Sequence, residues 1–499
     1  MHSFQALTTT FAAHQLFDEK TWRVSPAAFP LTAAQLGEIK RIGDACHAFY
    51  HAQELLYTRS SLGKKILRNG GSAVPWVAKC LDRGKPAGLV AHGLHRSVKN
   101  LSPAVLRPDL LITENGFSLT EMDSVPGGVG LTAFLNETYA PLTPDIVGGA
   151  TQPELFYQHL AALAKNTRAD SADDDGNGSS SNNGNGGSGD NGDGGEVGAL
   201  PLIAIVVSDE AATYRPEFVW LAEKLRAQGR RVHCVHPSEL MPLGGGIFIP
   251  VDGAPQRVDV IYRFFELFDL GDVKGADAIF DAVENGQVVL TPPMKAFQEE
   301  KLNLALLHHP ALDAFWRENL PAAHLDTLRR VVPRTWLMEE NPLPPTAVLH
   351  APAVGGRPVC SWAELANASQ RERNLIIKAS GFDATAWGAR SVTLGSDVSR
   401  EEWLAAIEDA TDAENETFYI MQDYHKPVRL RHPVYRDDGS VAEEEGRVRL
   451  CPFFFAGPAS GTPVEMGAIL ATFCPADKKI IHGMKDAALM PCALAAPKS

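Results

Sequence analysis

Apolar residues at Leu36, Ile39, Ile42, Phe49, Ala52 and Leu56 recur at the spacing of one helix face, following Pro30 and a potential cap at Thr32. This pattern predicts a long amphipathic helix. The rest of residues 1–166 reads as further helix around one hairpin, Asp109 to Asp123, in which two apolar runs flank Glu114-Asn115-Gly116. Leu202-Ile-Ala-Ile-Val-Val has the length and composition of a buried strand. Pro216 opens a helix carried by Phe218, Leu221 and Leu225 and stopped at Gly229, and Arg231-Val-His-Cys-Val follows as a second strand. Strand, helix and strand in that order predict a small parallel sheet. Asp259-Val-Ile-Tyr-Arg-Phe-Phe adds a strand in which Arg263 stands within an apolar run. From Thr291 onward, Pro292-Pro293 is expected to open a helix through Lys301 and Leu304 that stops before Pro310. Strands are expected at Asn374–Lys378, Thr417–Gln422 and Arg447–Phe455, with a turn at Asp437-Asp438-Gly439. The fold class is α/β (α+β).

Residues Thr167 to Glu196 break every periodicity. They are rich in glycine, asparagine, serine and aspartate, and hold too little apolar surface to offset the entropy of ordering. The expected division is therefore a helical region with the hairpin at 1–166, a disordered linker at 167–198, an α/β unit at 199–290 and a mixed region at 291–499. At roughly 150 residues per domain, the foldable part of the 499-residue chain suits about three domains. The net charge of −14 argues against duplex nucleic acid or an anionic membrane as partner. The cysteines stand singly without metal-ligand spacing, and no apolar run approaches the roughly 18 residues of a membrane span. The start of the chain lacks the marks of a signal peptide, so a cytoplasmic protein is expected.

The hairpin carries the strongest chemical signal, Arg107-x-Asp109 followed by Glu121-x-Asp123. A two-residue Asn115-Gly116 loop would set Asp109 against Met122, on the face away from Glu121. A three-residue loop with Gly116 left-handed would set Asp109 directly opposite Glu121 and bring Asp123 onto the same face. In that register three carboxylates repel one another unless a hard cation lies between them, and Mg²⁺ carrying nucleotide phosphates is the natural candidate. The plain alternative is a solvated hairpin with acids on its wet face. Arg107 is placed to meet a phosphate with its planar fork. The Pro126-Gly127-Gly128-Val129-Gly130 stretch permits close approach of a ligand, or is an ordinary loop.

A second group lies late in the chain. Lys378 ends an apolar strand and precedes a loop of small residues beginning at Gly381, an arrangement that can hold phosphate and close over it. Gln422, Asp423 and Tyr424 end another strand with groups that can read an adenine edge. Arg447 and Arg449 share a strand face and can neutralise a phosphate or carboxylate, or pair with Glu443, Glu444 and Glu445. His482 reads as a structural histidine. No Walker loop, zinc spacing or Ser/His/Asp arrangement is present.

Taken together, these residues resemble the circularly permuted ATP-grasp family, the branch that includes glutathionylspermidine synthase and eukaryotic glutathione synthetase. In most ATP-grasp enzymes the lysine strand precedes the acidic hairpin; here Arg107-x-Asp109 and Glu121-x-Asp123 come first and Lys378 follows much later. The resemblance implies Mg²⁺ ligands at Asp109, Glu121 and Asp123 and phosphate-binding lysines at Lys301 and Lys378, with Gly381 in the lid. It further implies Gln422, Asp423 and Tyr424 at the adenine, and Arg107 and Arg449 near the transferred phosphoryl group. Residues 199–290 look similar to the substrate-side domain of that branch. Asp123 replaces the usual Asn, and the loop after Lys378 is poorer in glycine than most lids. No cysteine amidase domain precedes the hairpin, so hydrolysis of the product is not expected.

The activity so implied is ATP-dependent, Mg²⁺-assisted ligation of a small carboxylate to an amine through an acylphosphate. An amino acid, peptide or polyamine is the expected kind of substrate, with no nucleic acid or membrane partner. A non-catalytic Mg-ATP-binding regulator and an ATP-dependent phosphotransferase stand as alternatives. In this reading Asp109 and Glu121 serve the metal rather than the core, so alanine at either position should spare the fold.

Overall fold

The periodic run after Thr32 forms the helix Ala33–Ser61, closed at its start by a reciprocal capping box: the Thr32 hydroxyl accepts from Gln35 N at 3.2 Å and the Gln35 amide oxygen accepts from Thr32 N at 2.9 Å. The structure, a computed structural model, describes residues 3–14, 16, 21–174, 200–339, 352–386, 390–457, 462–481, 483 and 486–495; within 165–174 it describes the backbone alone.

The long helix buries Ile39, Ile42, Phe49 and Leu56 in one apolar cluster with Leu110, Leu119, Leu450 and Phe454 of a seven-stranded sheet. That sheet runs in the order Phe29–Leu31, Ala488–Leu494, Glu465–Pro475, Val441–Phe455, Val105–Thr113, Gly116–Asp123, with Leu430–Tyr435 paired to Val441–Phe455. All its pairings are antiparallel except Phe29–Leu31 with Ala488–Leu494. The early hairpin and the last strands of the chain thus lie in one sheet. Both sheet faces are apolar: Val105, Leu111, Cys451, Phe453 and Phe455 point into a second cluster, shared with the helices Val129–Tyr139 and Arg215–Ala227. Burial on both faces accounts for the unbroken apolar run Cys451–Phe455.

The parallel sheet expected from strand, helix and strand has the order Val289–Thr291, Val260–Phe264, Ile203–Val207, Val232–Val235. Ile203, Ile205, Tyr262 and Phe264 face the same cluster as the large sheet, so the two sheets share a core across the helices between them. A third, antiparallel sheet carries the lysine strand: Thr335–Leu337, Tyr419–Asp423, Leu375–Ala379, Thr393–Leu394.

Three expectations are corrected. The helix Gln152–Asp174 continues into the stretch read as linker, and 175–198 lies outside the described residues. The helix expected from Pro293 begins only at Leu302, after a 3₁₀ turn at Ala296–Glu299. The break falls at Glu300, whose backbone is extended (φ −89°, ψ 123°), and Lys301 N donates to the Ser380 carbonyl at 2.9 Å instead of to an intrahelical acceptor. The strand expected from Arg447 starts earlier, at Val441, and pairs back across the Asp437-Asp438-Gly439 turn onto Leu430–Tyr435. No helix among the described residues is long and apolar enough to cross a membrane.

Candidate functional site

The hairpin reaches the acid-facing register by a route that neither loop reading contains. Thr113 pairs with Gly116, so the turn is Glu114-Asn115, and this register holds back to Leu110 opposite Leu119. A one-residue bulge at Thr120 then shifts the pairing, placing Asp109 opposite Glu121 and Arg107 opposite Asp123. All four charged side chains lie on one face. Gly116 adopts φ +100°, a conformation open to glycine at little cost.

The carboxylates are met by cations. Asp109 is 2% exposed; its Oδ1 accepts from Arg107 Nε at 2.9 Å and its Oδ2 from an Arg449 guanidinium nitrogen at 2.9 Å. Burial alone would raise the Asp109 carboxyl, but the two guanidiniums outweigh it and hold the group below its ordinary value. Arg107 also reaches Asp123 at 2.9 Å and donates to the Gly127 carbonyl at 2.7 Å. Lys301 Nζ lies 2.8 Å from Glu121 and 2.7 Å from the Ala386 carbonyl. Lys378 Nζ donates to Gln422 Oε1 at 2.9 Å and, at 3.3 Å, to the carbonyl of Thr120, the bulge residue. Residues far apart in sequence therefore converge on two adjacent hairpin positions.

A cleft of about 290 Å³ opens on this face. Of the site residues read from the sequence it gathers Arg107, Asp109, Glu121, Asp123, Lys301, Gly381 and Arg449. Lys378, Gln422, Asp423 and Tyr424 do not line it. Gln422 is buried, with its amide committed to Lys378 and, at 3.0 Å, to the Thr335 hydroxyl, so it orients the lysine. The Tyr424 hydroxyl donates to the Lys479 carbonyl at 3.0 Å, and burial pushes Asp423 up to about 6. Arg449 enters the site while Arg447 donates to the Lys478 carbonyl; Glu444 and Glu445 pair with Arg23 and Arg429 instead. His482, Trp387 and Gly388 lie outside the described residues.

Several residues of this wall escape sequence reading. Glu217 accepts from Gly128 N at 2.7 Å and Leu131 N at 2.8 Å, tying the start of helix Val129–Tyr139 to helix Arg215–Ala227. Burial pushes its carboxyl up to about 7 against the pull of those N–H groups. The glycines after Pro126 serve this contact: a Cβ on Gly130 would stand 2.3 Å from the Glu217 carbonyl. Glu266 and Glu299 also line the cleft, and burial, with Glu299 adding to it, pushes the Glu266 carboxyl well above its ordinary value. The only sequence trace of these acids is that Glu299 and Glu300 immediately precede Lys301.

Among the described residues no group of three or more His, Cys, Asp or Glu is arranged to hold a metal ion. Asp109 has both oxygens committed to arginines. The Glu121 and Asp123 side chains are 38% and 27% exposed at the cleft; Glu121 meets Lys301 through Oε1 alone, and Asp123 meets Arg107 through Oδ2 and accepts from Val125 N through Oδ1 at 2.9 Å, leaving each carboxylate further lone pairs. Two carboxylates with phosphate and water completing the shell is a common way of holding Mg²⁺, so these two residues fit the ion.

No family model and no curated protein sequence matches the chain. Among solved structures, it superposes on a glutathione synthetase-like effector from Globodera pallida in its apo form, with a TM-score of 0.56 and 11% identity over 98% of this chain and 96% of that one. The two proteins share a fold. A protein from Methylobacillus flagellatus described as a gamma-glutamylcysteine synthetase aligns over 93% of this chain and 90% of its own at 10% identity, with a TM-score of 0.38, too low to bear on the fold.

Proposed function

We propose that this protein is an ATP-dependent carboxylate–amine ligase of the circularly permuted ATP-grasp kind, acting with Mg²⁺ on an amino acid, peptide or polyamine-type substrate. The observation that carries this reading is the meeting of Arg107, Arg449 and Lys301 with Glu121 and Asp123 at one cleft, with Lys378 docked on the adjoining Thr120 carbonyl. The likeness in fold to a glutathione synthetase-like protein agrees with it.

The reaction needs alignment and charge neutralisation more than a protein nucleophile. A substrate carboxylate oxygen attacks the γ-phosphorus and ADP leaves; an amine then attacks the acyl carbon, forming the amide and releasing phosphate. Arg107 and Arg449, both paired to Asp109 at the cleft, would meet the transferring group, and Lys301 would hold the phosphate chain. Glu121 and Asp123 would hold Mg²⁺, which when bound neutralises phosphate oxygens. Cys451, 3.4 Å from Asp109, is no nucleophile here: burial pushes its thiol up to about 12.

Trapping distinguishes this reading from a regulatory binder and from a phosphotransferase that makes a stable product. With hydroxylamine present, ADP release accompanied by a hydroxamate is expected from an acid the protein uses. Saturable ATP binding without ADP release in any acid and amine mixture would point to the binder.

Burial pushes the Lys378 ammonium down to about 8, with Lys301 adding to the shift and Glu121 opposing it. The lysine is charged below that pH and neutral above it. Mg-ATP affinity is therefore expected to be full at pH 7 and to fall as pH rises through about 8, by about tenfold at pH 9. Titration calorimetry at the two pH values checks this, and the dependence should flatten in Lys378→Met. Equal affinity at both values would remove Lys378 from phosphate binding.

A further inference from the structure

Glu299, Glu300 and Lys301 are consecutive, and each is fastened to a different part of the fold. Glu299 pairs with Arg263 of the parallel sheet, Glu300 with Lys85 of the helical region at 2.5 Å, and Lys301 with Glu121 of the hairpin at 2.8 Å. The lysine strand is tied to this same segment through one residue, Ser380, which lies two positions after Lys378. Its hydroxyl donates to Glu300 Oε2 and accepts from Leu302 N at 2.8 Å, and its carbonyl accepts from Lys301 N at 2.9 Å. Ser380 is fully buried and engages three residues in a row. Gly381 completes the fit, since a Cβ there would stand 2.9 Å from the Glu299 carbonyl.

The result is a set distance between two like charges. Lys301 and Lys378 approach the hairpin at neighbouring residues, Glu121 and Thr120; the Ala386 carbonyl and Gln422 hold their ammonium ends, but these contacts do not tie the two stems to each other. The rigid link lies beneath them, in backbone and hydroxyl contacts between Ser380 and the 300–302 segment. Lys85 keeps that link intact: Lys85 and Glu300 are almost wholly buried and mutually neutralising, and Lys85 is itself held by the Leu81 carbonyl at 2.5 Å. We propose that Ser380 and Glu300 are positioning residues that fix Lys301 and Lys378 as one preorganised pair for the phosphate chain of a nucleotide. This rests on the reading that the cleft binds Mg-ATP. Neither residue is required to touch the nucleotide; their effect is to spare the ordering of two lysines on binding.

The test compares full-length wild type, Ser380→Ala and Glu300→Gln, with Mg-ATP affinity measured by calorimetry, adenosine affinity by equilibrium dialysis, and folding by thermal melting. Ser380→Ala removes both hydroxyl bonds, to Glu300 and from Leu302 N, and is expected to weaken Mg-ATP binding by about tenfold. Adenosine, which carries no phosphate, should bind unchanged. Glu300→Gln keeps an oxygen for the serine but loses the charge facing Lys85, and should also lose Mg-ATP selectively. Wild-type affinity for Mg-ATP in both variants, or an equal loss for adenosine, overturns the inference and leaves the nucleotide site standing. Failure of both variants to fold assigns the network to the fold and overturns it too. Absence of Mg-ATP binding by the wild type removes the functional reading, and the inference with it.

Discussion

Asp109→Ala is expected to destabilise the protein by about 3–5 kcal/mol, the cost of removing one partner from a buried ion pair. The alanine would leave the Arg107 and Arg449 guanidiniums facing each other at a position that is 2% exposed, with no carboxylate between them. Asp109→Asn should also destabilise, by less, because it keeps the shape and one acceptor. Adding Arg449→Met to Asp109→Ala should recover part of the loss, since the second change removes an uncompensated charge. Urea unfolding measures all four proteins. Read from sequence alone, Asp109 serves a metal and alanine there spares the fold. An Asp109→Ala protein as stable as the wild type would restore that simpler role.

Arg107→Lys keeps the charge and is nevertheless expected to slow ATP turnover by roughly 10³, the lower end of what an arginine at a transferring phosphoryl group contributes. Arg107 spans Asp109, Asp123 and the Gly127 carbonyl with separate nitrogens, and an ammonium cannot reproduce that fork. ADP release in a mixture that the wild type turns over gives the measurement, with Mg-ATP affinity as the second reading. A large fall in turnover with little change in affinity separates a role in transfer from one in binding. Turnover near the wild-type value would confine Arg107 to holding the acids.

The four charged hairpin residues were legible because strand alternation and a turn signal are local properties. What brings Asp109 opposite Glu121 was not local: the turn is one residue shorter than the three-residue reading, and the bulge at Thr120 makes up the difference. The bulge carbonyl accepts Lys378 from another sheet, a partner that no window of sequence around the hairpin contains. Gln422 shows the same limit. Its place at a strand end was readable, but whether its amide faced a ligand or a lysine depended on the neighbouring strand, Leu375–Ala379. The helix expected from Pro293 is interrupted at Glu300, where Lys301 N donates to the Ser380 carbonyl, a partner that no local window of sequence contains. The long helix after Thr32 and the helix Arg215–Ala227 succeeded because the capping box of the first, the Pro216 start of the second and the periodicity of both agree with the packing they meet. Glu217 was hidden on that second helix, where only tertiary contact with Gly128 and Leu131 gives it meaning.

The central claim is that the cleft beside the hairpin binds ATP through Mg²⁺, and titration calorimetry of ATP into the wild type and Glu121→Ala, with and without Mg²⁺, tests it most directly. Glu121 is partly exposed, so its loss should leave the fold intact. The account predicts saturable binding by the wild type that requires Mg²⁺ and is lost in Glu121→Ala. No binding by the wild type under either condition, or Mg²⁺-dependent binding unchanged by the substitution, would contradict it.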